Sequence, residues 1–204
     1  AINVGGALER SLHIENDELS IDGKVYNLAG RRIFFIGVGK CAFTAAGAIE
    51  KILDGRLTAG IALDVSPVEK AVPTKIEMYA GSHPLPSEVN ERATERIIEL
   101  LSGGTEDDLV LMLISGGGST LLCLHKATMT CLDESSLFEE LTAHGATIRD
   151  INIVRKHISQ ARGGNLAKAA YPAEVVSLIV SDVPGNDIDV IASGPTVLDS
   201  STIE

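Results

Sequence analysis

One pattern recurs along this chain and constrains its fold more than any other. An apolar, strand-like run ends in a glycine-rich or polar loop, and this happens three times. Ile33-Phe34-Phe35-Ile36 runs into Gly37-Val38-Gly39-Lys40, and Leu109 to Ile114 runs into Ser115-Gly116-Gly117-Gly118-Ser119-Thr120. Val175 to Val180 runs into Ser181-Asp182-Val183-Pro184-Gly185-Asn186-Asp187. Continuous apolar runs bounded by glycine read as strands buried on both faces, the signature of a parallel sheet covered by helices. Ligands of such α/β folds bind at the loops beyond the carboxyl ends of the strands. Three such loops, bearing a lysine, a triglycine and a carboxylate cluster, suggest parts of one phosphate-handling site.

The intervening segments support this reading. Ala42, Phe43, Ala46, Ile49, Ile52 and Leu53 fall at helical spacing. Gly60 to Val65 and Lys75 to Tyr79 read as strands, and Ser87 caps a helix over Glu88 to Leu101. Further helices are expected at the triglycine, over Ser135 to His144, over Ile148 to Ala161 and over Asn165 to Tyr171. Residues 1 to 30 read as a mixed lead-in with one short strand at Val25 to Leu28. Strands alternating with helices predict an α/β, Rossmann-like three-layer sandwich with a mainly parallel sheet. The 204 residues suffice for one generous domain, or one domain plus a fragment. Aromatic residues make up only 3% of the chain, so the core is built from Ala, Val, Ile and Leu.

The net charge of −11 argues against nucleic acid or an anionic membrane as the main partner. No apolar run is long enough to span a bilayer. The three cysteines, Cys41, Cys123 and Cys131, have no CxxC spacing, which argues against a disulfide framework or a zinc site. There is no signal-peptide pattern, although the chain starts at Ala1, and a reduced cytoplasmic setting is the expectation.

Four constellations carry candidate chemistry. Gly37, Gly39 and Ala42 fit the dinucleotide fingerprint, and Asp64 stands near the position of a ribose-binding acid. These features admit a nicotinamide enzyme. Lys40 sits where the following helix begins and can face an anion. Ser115, Gly116, Gly117, Gly118 and Ser119 lack a Walker lysine but suit a nest of amides around phosphate. On a helix, Asn152, Lys156 and Gln160 form one polar row, and Arg155, Ser159 and Arg162 a second, which could clamp a carboxylate or phosphate. Asp182, Asp187 and Asp189 offer oxygen ligands for Mg²⁺, and a carboxylate there could accept a hydroxyl proton. His83, between prolines, is either a substrate contact or loop packing. His157 reads as structural, and His13, His125 and His144 have no assigned role.

These segments resemble the glycerate 2-kinase family with a C-terminal MOFRL domain, also known under the name hydroxypyruvate reductase. The resemblance runs through Gly37-Val38-Gly39-Lys40, Ser82-His83-Pro84-Leu85-Pro86, Ile114 to Ser119, Ile151 to Ser159, Arg162-Gly163-Gly164, Ser181-Asp182-Val183 and Ile191 to Thr196. It implies residues 1–204 of a large N-terminal Rossmann-like domain, from an enzyme that phosphorylates D-glycerate at its 2-hydroxyl with ATP and Mg²⁺. It implies Lys40 as a catalytic residue and the glycine-rich loop beside the phosphates; the residues themselves add Asp182 as a second catalytic candidate and Gly37 and Gly39, with Ser115 to Ser119, as phosphate-binding candidates. His83, Arg155 and Lys156 would face substrate, and Asp182 and Asp187 metal. An arginine of the C-terminal domain would complete a site in the cleft between domains. A homodimer is compatible with this reading. Asn186 stands where the family often has Asp, and Ser87 where an acidic residue is common. The chain covers about half a family member, so alone it is expected to be weakly active or inactive. A hydroxypyruvate reductase, a non-catalytic nucleotide- or phosphate-binding module and an interaction fragment are the alternatives.

Overall fold

The computed structural model describes residues 3–67, 73–126, 128–181 and 185–202. A five-stranded parallel sheet forms its centre, in the order β6-β5-β4-β7-β8. The strands are β4 (Ile33–Val38), β5 (Leu57–Asp64), β6 (Ile76–Ala80), β7 (Leu109–Ser115) and β8 (Glu174–Val180). Every residue of β4 and β7 is buried, which is why these two strands read as unbroken apolar runs.

The pleat sends alternate side chains to two cores. Phe35, Leu109, Leu111 and Leu113 face one side, packed with Ala45 and Ile49 of α2 (Ala42–Leu53) and with α1 (Val4–Ser11). Phe34, Ile36, Val38, Val110, Met112 and Ile114 face the other, packed with Ile97 of α3 (Glu88–Ser102) and Leu166 of α7 (Asn165–Ala170). The expected three layers are therefore present.

The lead-in has more structure than its sequence suggested. Strands β1 (Leu12–Glu15), β2 (Glu18–Ile21) and β3 (Lys24–Asn27) form a separate antiparallel sheet. Asp22 and Gly23 link β2 to β3, both with positive φ, as a two-residue hairpin turn requires. The Asp-Gly pair was a readable signal for that hairpin.

Beyond β7 come α4 (Gly118–Leu121), α5 (Cys131–Ala143) and α6 (Ile148–Ile158). Helix α5 starts four residues ahead of its expected place, because Thr130 and Asp133 cap each other's ends. Helix α6 stops three residues early. The Ser159 Oγ accepts the amides of Ala161 and Arg162 and turns the chain away. Among the described residues, no helix is long and apolar enough to cross a membrane.

One expectation fails here: Cys123 and Cys131 form a disulfide. The chain reverses between α4 and α5 and brings the two residues together, a proximity that their sequence spacing does not reveal.

A buried polar knot ties α5 to α6 and to the segment after it. Glu134 accepts two hydrogen bonds from Arg162, at 2.8 and 3.1 Å, and one from Arg155 at 3.4 Å. It also bonds His125 Nε2. Burial alone would raise the Glu134 pKa, but the His125 hydrogen bond and the Arg162 charge prevail and hold it at about 2. Removing one partner of a buried ion pair strands the other charge. Glu134→Gln is therefore expected to lower unfolding free energy by about 3–5 kcal/mol, measured by urea denaturation at neutral pH. A loss within experimental error would show that the knot contributes nothing.

Candidate active site at the sheet switch point

From β4 the chain builds outward through β5 to β6, then crosses to the opposite side of β4 to begin β7. The carboxyl ends of β4 and β7 thus flank the topological switch point, where open α/β sheets hold ligands. Two of the three loops singled out in the sequence meet there, and β8 lies beside β7.

The meeting is close. Gly39 has φ 118°, and a Cβ on it would lie 2.1 Å from Ser115 Oγ and 2.6 Å from the Ser115 carbonyl oxygen. Only glycine fits there. The Lys40 amide donates to the Gly116 carbonyl at 3.0 Å and locks the loops together. Gly37 is buried against the Phe35 ring and Ala42, so it serves packing rather than a ligand. The Lys40 stem and the His83 ring both lie over Gly117. A Cβ at Gly117 would stand 3.2 Å from Lys40 Cε and 3.5 Å from His83 Cδ2. The amides of Gly116, Gly117, Gly118 and Ser119 find no backbone acceptor among the described residues. They are donors in reserve beside an exposed lysine.

The loop carrying His83 is held by Asn90, which is fully buried in the first turn of α3. Its Oδ1 accepts from the amides of Ser82 and Ser87, and its Nδ2 donates to the carbonyls of Ser82 and Thr120. One side chain thereby ties the His83 loop to α4. On the other flank, Ser119 Oγ lies 2.8 Å from Ser193 Oγ, and Ser193 donates to Asn152. Ser193 belongs to a 3-10 turn (Ile191–Ser193), where Ala192 and Ser193 both have positive φ. Its Ala192 presses on Gly118, where an added Cβ would come within 2.5 Å. Strained non-glycine residues at a loop are a functional signal that periodicity could not reveal.

Arg155 completes the cluster. Its guanidinium stacks 4.3 Å from the Phe138 ring centroid, and Glu134 holds its Nε. A groove of about 450 Å³ lined by Pro84, Leu85, Pro86, Phe138 and Thr142 opens beside it. Burial, then the charges of Lys40 and Arg155, lower the His83 pKa from its ordinary 6.5. Lys40, His83 and Arg155 therefore share one field.

Several expected site residues are used elsewhere. Lys156 is buried and pairs with Asp189, with Asp199 at 3.5 Å, so its charge is neutralised within the fold. Arg162 is fully buried on Glu134, and Asn152 is buried on Ser193, so the two polar rows do not form an open clamp. His157 lies against Ser201, as a structural residue would. Asp64 is buried. It accepts the amides of Phe43, Val65 and Ser66, which leaves it spent as a helix and turn cap rather than facing a ribose. Asp187 is exposed, and its Oδ1 accepts the Asp189 amide. Asp182 lies outside the described residues.

Residues 1–204 match the family described as a domain of unknown function, DUF4147. The chain belongs to that family. It is 39% identical over 173 residues to a D-glycerate 2-kinase of Thermotoga maritima, covering 85% of this chain and 42% of the relative. It is 44% identical over 173 residues to an Agrobacterium vitis protein provisionally named a hydroxypyruvate reductase, covering 84% of this chain and 39% of that protein. A crystal structure of a Pyrococcus horikoshii OT3 protein superposes with a TM-score of 0.92 at 35% identity, over 98% of this chain and 45% of that one. The chain spans less than half the length of these relatives.

The shared field gives a direct test. Histidine NMR titration is expected to place the His83 pKa below 6.5, and Lys40→Met should raise it by removing a nearby positive charge. A His83 pKa unmoved by that substitution would separate the two residues electrostatically.

Proposed function

We propose that the whole protein is a glycerate 2-kinase, transferring the γ-phosphoryl group of ATP to the 2-hydroxyl of D-glycerate. The observation that carries this reading is the set of amides from Gly116 to Ser119 that have no backbone acceptor among the described residues, with Gly117 packed against the Lys40 stem. Such an arrangement suits the oxygens of a phosphoryl group in transfer, where positioning and charge stabilisation supply most of the rate. The names of the Thermotoga relative and others point the same way.

In this reading the 2-hydroxyl oxygen attacks the γ-phosphorus, the bond to the ADP oxygen breaks, and a carboxylate takes the hydroxyl proton. Lys40 and the glycine amides offset the charge spreading over the phosphoryl oxygens. Arg155, fixed by Phe138 and Glu134, would hold the glycerate carboxylate, and His83, its pKa lowered by burial and then by Lys40 and Arg155, would hydrogen-bond a substrate hydroxyl. Asp187, exposed and holding the Asp189 amide on Oδ1, would offer a carboxylate oxygen to Mg²⁺, and Asp182 is the candidate base and second ligand. Mg²⁺ held by Asp187 and Asp182 would offset the charge on the phosphate oxygens. Lys156 is reassigned from substrate contact to holding the segment around Asp189. The second domain of the whole protein would close the cleft over the loops.

The reductase reading loses its acid, because Asp64 is occupied by three backbone amides. A coupled assay of the full-length protein separates the two. Glycerate-dependent ADP release is expected, and Lys40→Ala should cut turnover by roughly 10²–10³-fold, far more than it weakens nucleotide binding. NADH oxidation by hydroxypyruvate, with no ADP release, would overturn the kinase.

A further inference from the structure

Cys123, His125 and Cys131 form a second chemical cluster, which phosphoryl transfer does not use. The three residues are 0%, 3% and 4% exposed. One ligand atom from each, two Sγ and a ring nitrogen, lies within 4.8 Å of the others. His125 Nε2 is bonded to the Glu134 carboxylate, which Arg162 in turn holds by two hydrogen bonds. The other ring nitrogen, Nδ1, is buried with no partner among the described residues. An imidazole oriented by a fixed carboxylate and left with an unpaired nitrogen is the usual arrangement of a metal-binding histidine.

We propose that in the dithiol state Cys123, His125 and Cys131 bind a zinc ion, with Glu134 orienting the histidine. A dithiol reductant opens the Cys123–Cys131 bond, giving two electrons and two protons and becoming a disulfide itself. The two thiols then lose their protons as the metal binds. Two thiolates cancel the charge of Zn²⁺, so the bound site is neutral, as its burial demands. Two sulfurs and one imidazole nitrogen are a donor set that selects zinc over magnesium or calcium. Zinc–sulfur bonds of about 2.3 Å and zinc–nitrogen bonds of about 2.0 Å place tetrahedral ligand atoms roughly 3.5–3.8 Å apart. The cluster reaches that spacing by small shifts once the sulfurs separate. Disulfide and zinc site are alternative states of one sulfur pair.

The probe is Co²⁺, added to the chelator-treated full-length protein with its disulfide either intact or reduced. The reduced protein is expected to show thiolate-to-cobalt charge transfer and tetrahedral d–d absorption, saturating at one cobalt and bleached by Zn²⁺. Cys41→Ser should keep the signal, and Cys131→Ser should abolish it while circular dichroism reports a retained fold. No thiolate–cobalt absorption from the reduced protein would overturn the proposal, as would full absorption in a folded Cys131→Ser variant. Should that variant not fold, the disulfide form decides: it must show no absorption, and equal absorption in both redox states contradicts the site.

Discussion

The contact between the ends of β4 and β7 is the constraint on which the rest of the site depends. Gly39 passes so near Ser115 that no side chain can stand there, and the Lys40 amide bonds the Gly116 carbonyl. That contact orients two loops at once. It sets the lysine stem over Gly117, beside the His83 ring, and next to glycine-loop amides that have no backbone acceptor among the described residues. The two strands behind it are entirely buried, so the loops rest on the packed centre of the sheet.

The flanks are built from side chains acting across long sequence separations. Asn90 fixes the His83 loop to α4, while Glu134 gathers Arg155, Arg162 and His125. Glu134 thus stands between two chemistries. On one side it positions an arginine at the candidate substrate cleft, and on the other it orients a histidine beside two cysteines. Buried charge is costly unless fully paired, and this carboxylate is saturated with donors.

The parallel sheet was legible because β4, β7 and β8 are long apolar runs that end at glycine or polar loops. The glycine loops and Lys40 were legible because triglycine and strand-terminal lysine are rare local signals. Long-range pairing was not. Lys156 and Arg162 looked like an open clamp, since sequence periodicity cannot show Asp189 or Glu134 folding back on them. His125 received no role because its carboxylate and its cysteine neighbours meet it only after the chain reverses between α4 and α5. The β1–β2 hairpin was missed because its strands are only four residues each and half exposed, so alternation had little length in which to show.

The most direct test of the central claim is a crystal structure of the full-length protein with ADP and Mg²⁺. The account predicts the β-phosphate against the amides of Gly116 to Ser119, with the Lys40 ammonium within hydrogen-bond distance of a phosphate oxygen. Phosphates bound away from this loop, with Lys40 turned to solvent, would contradict it.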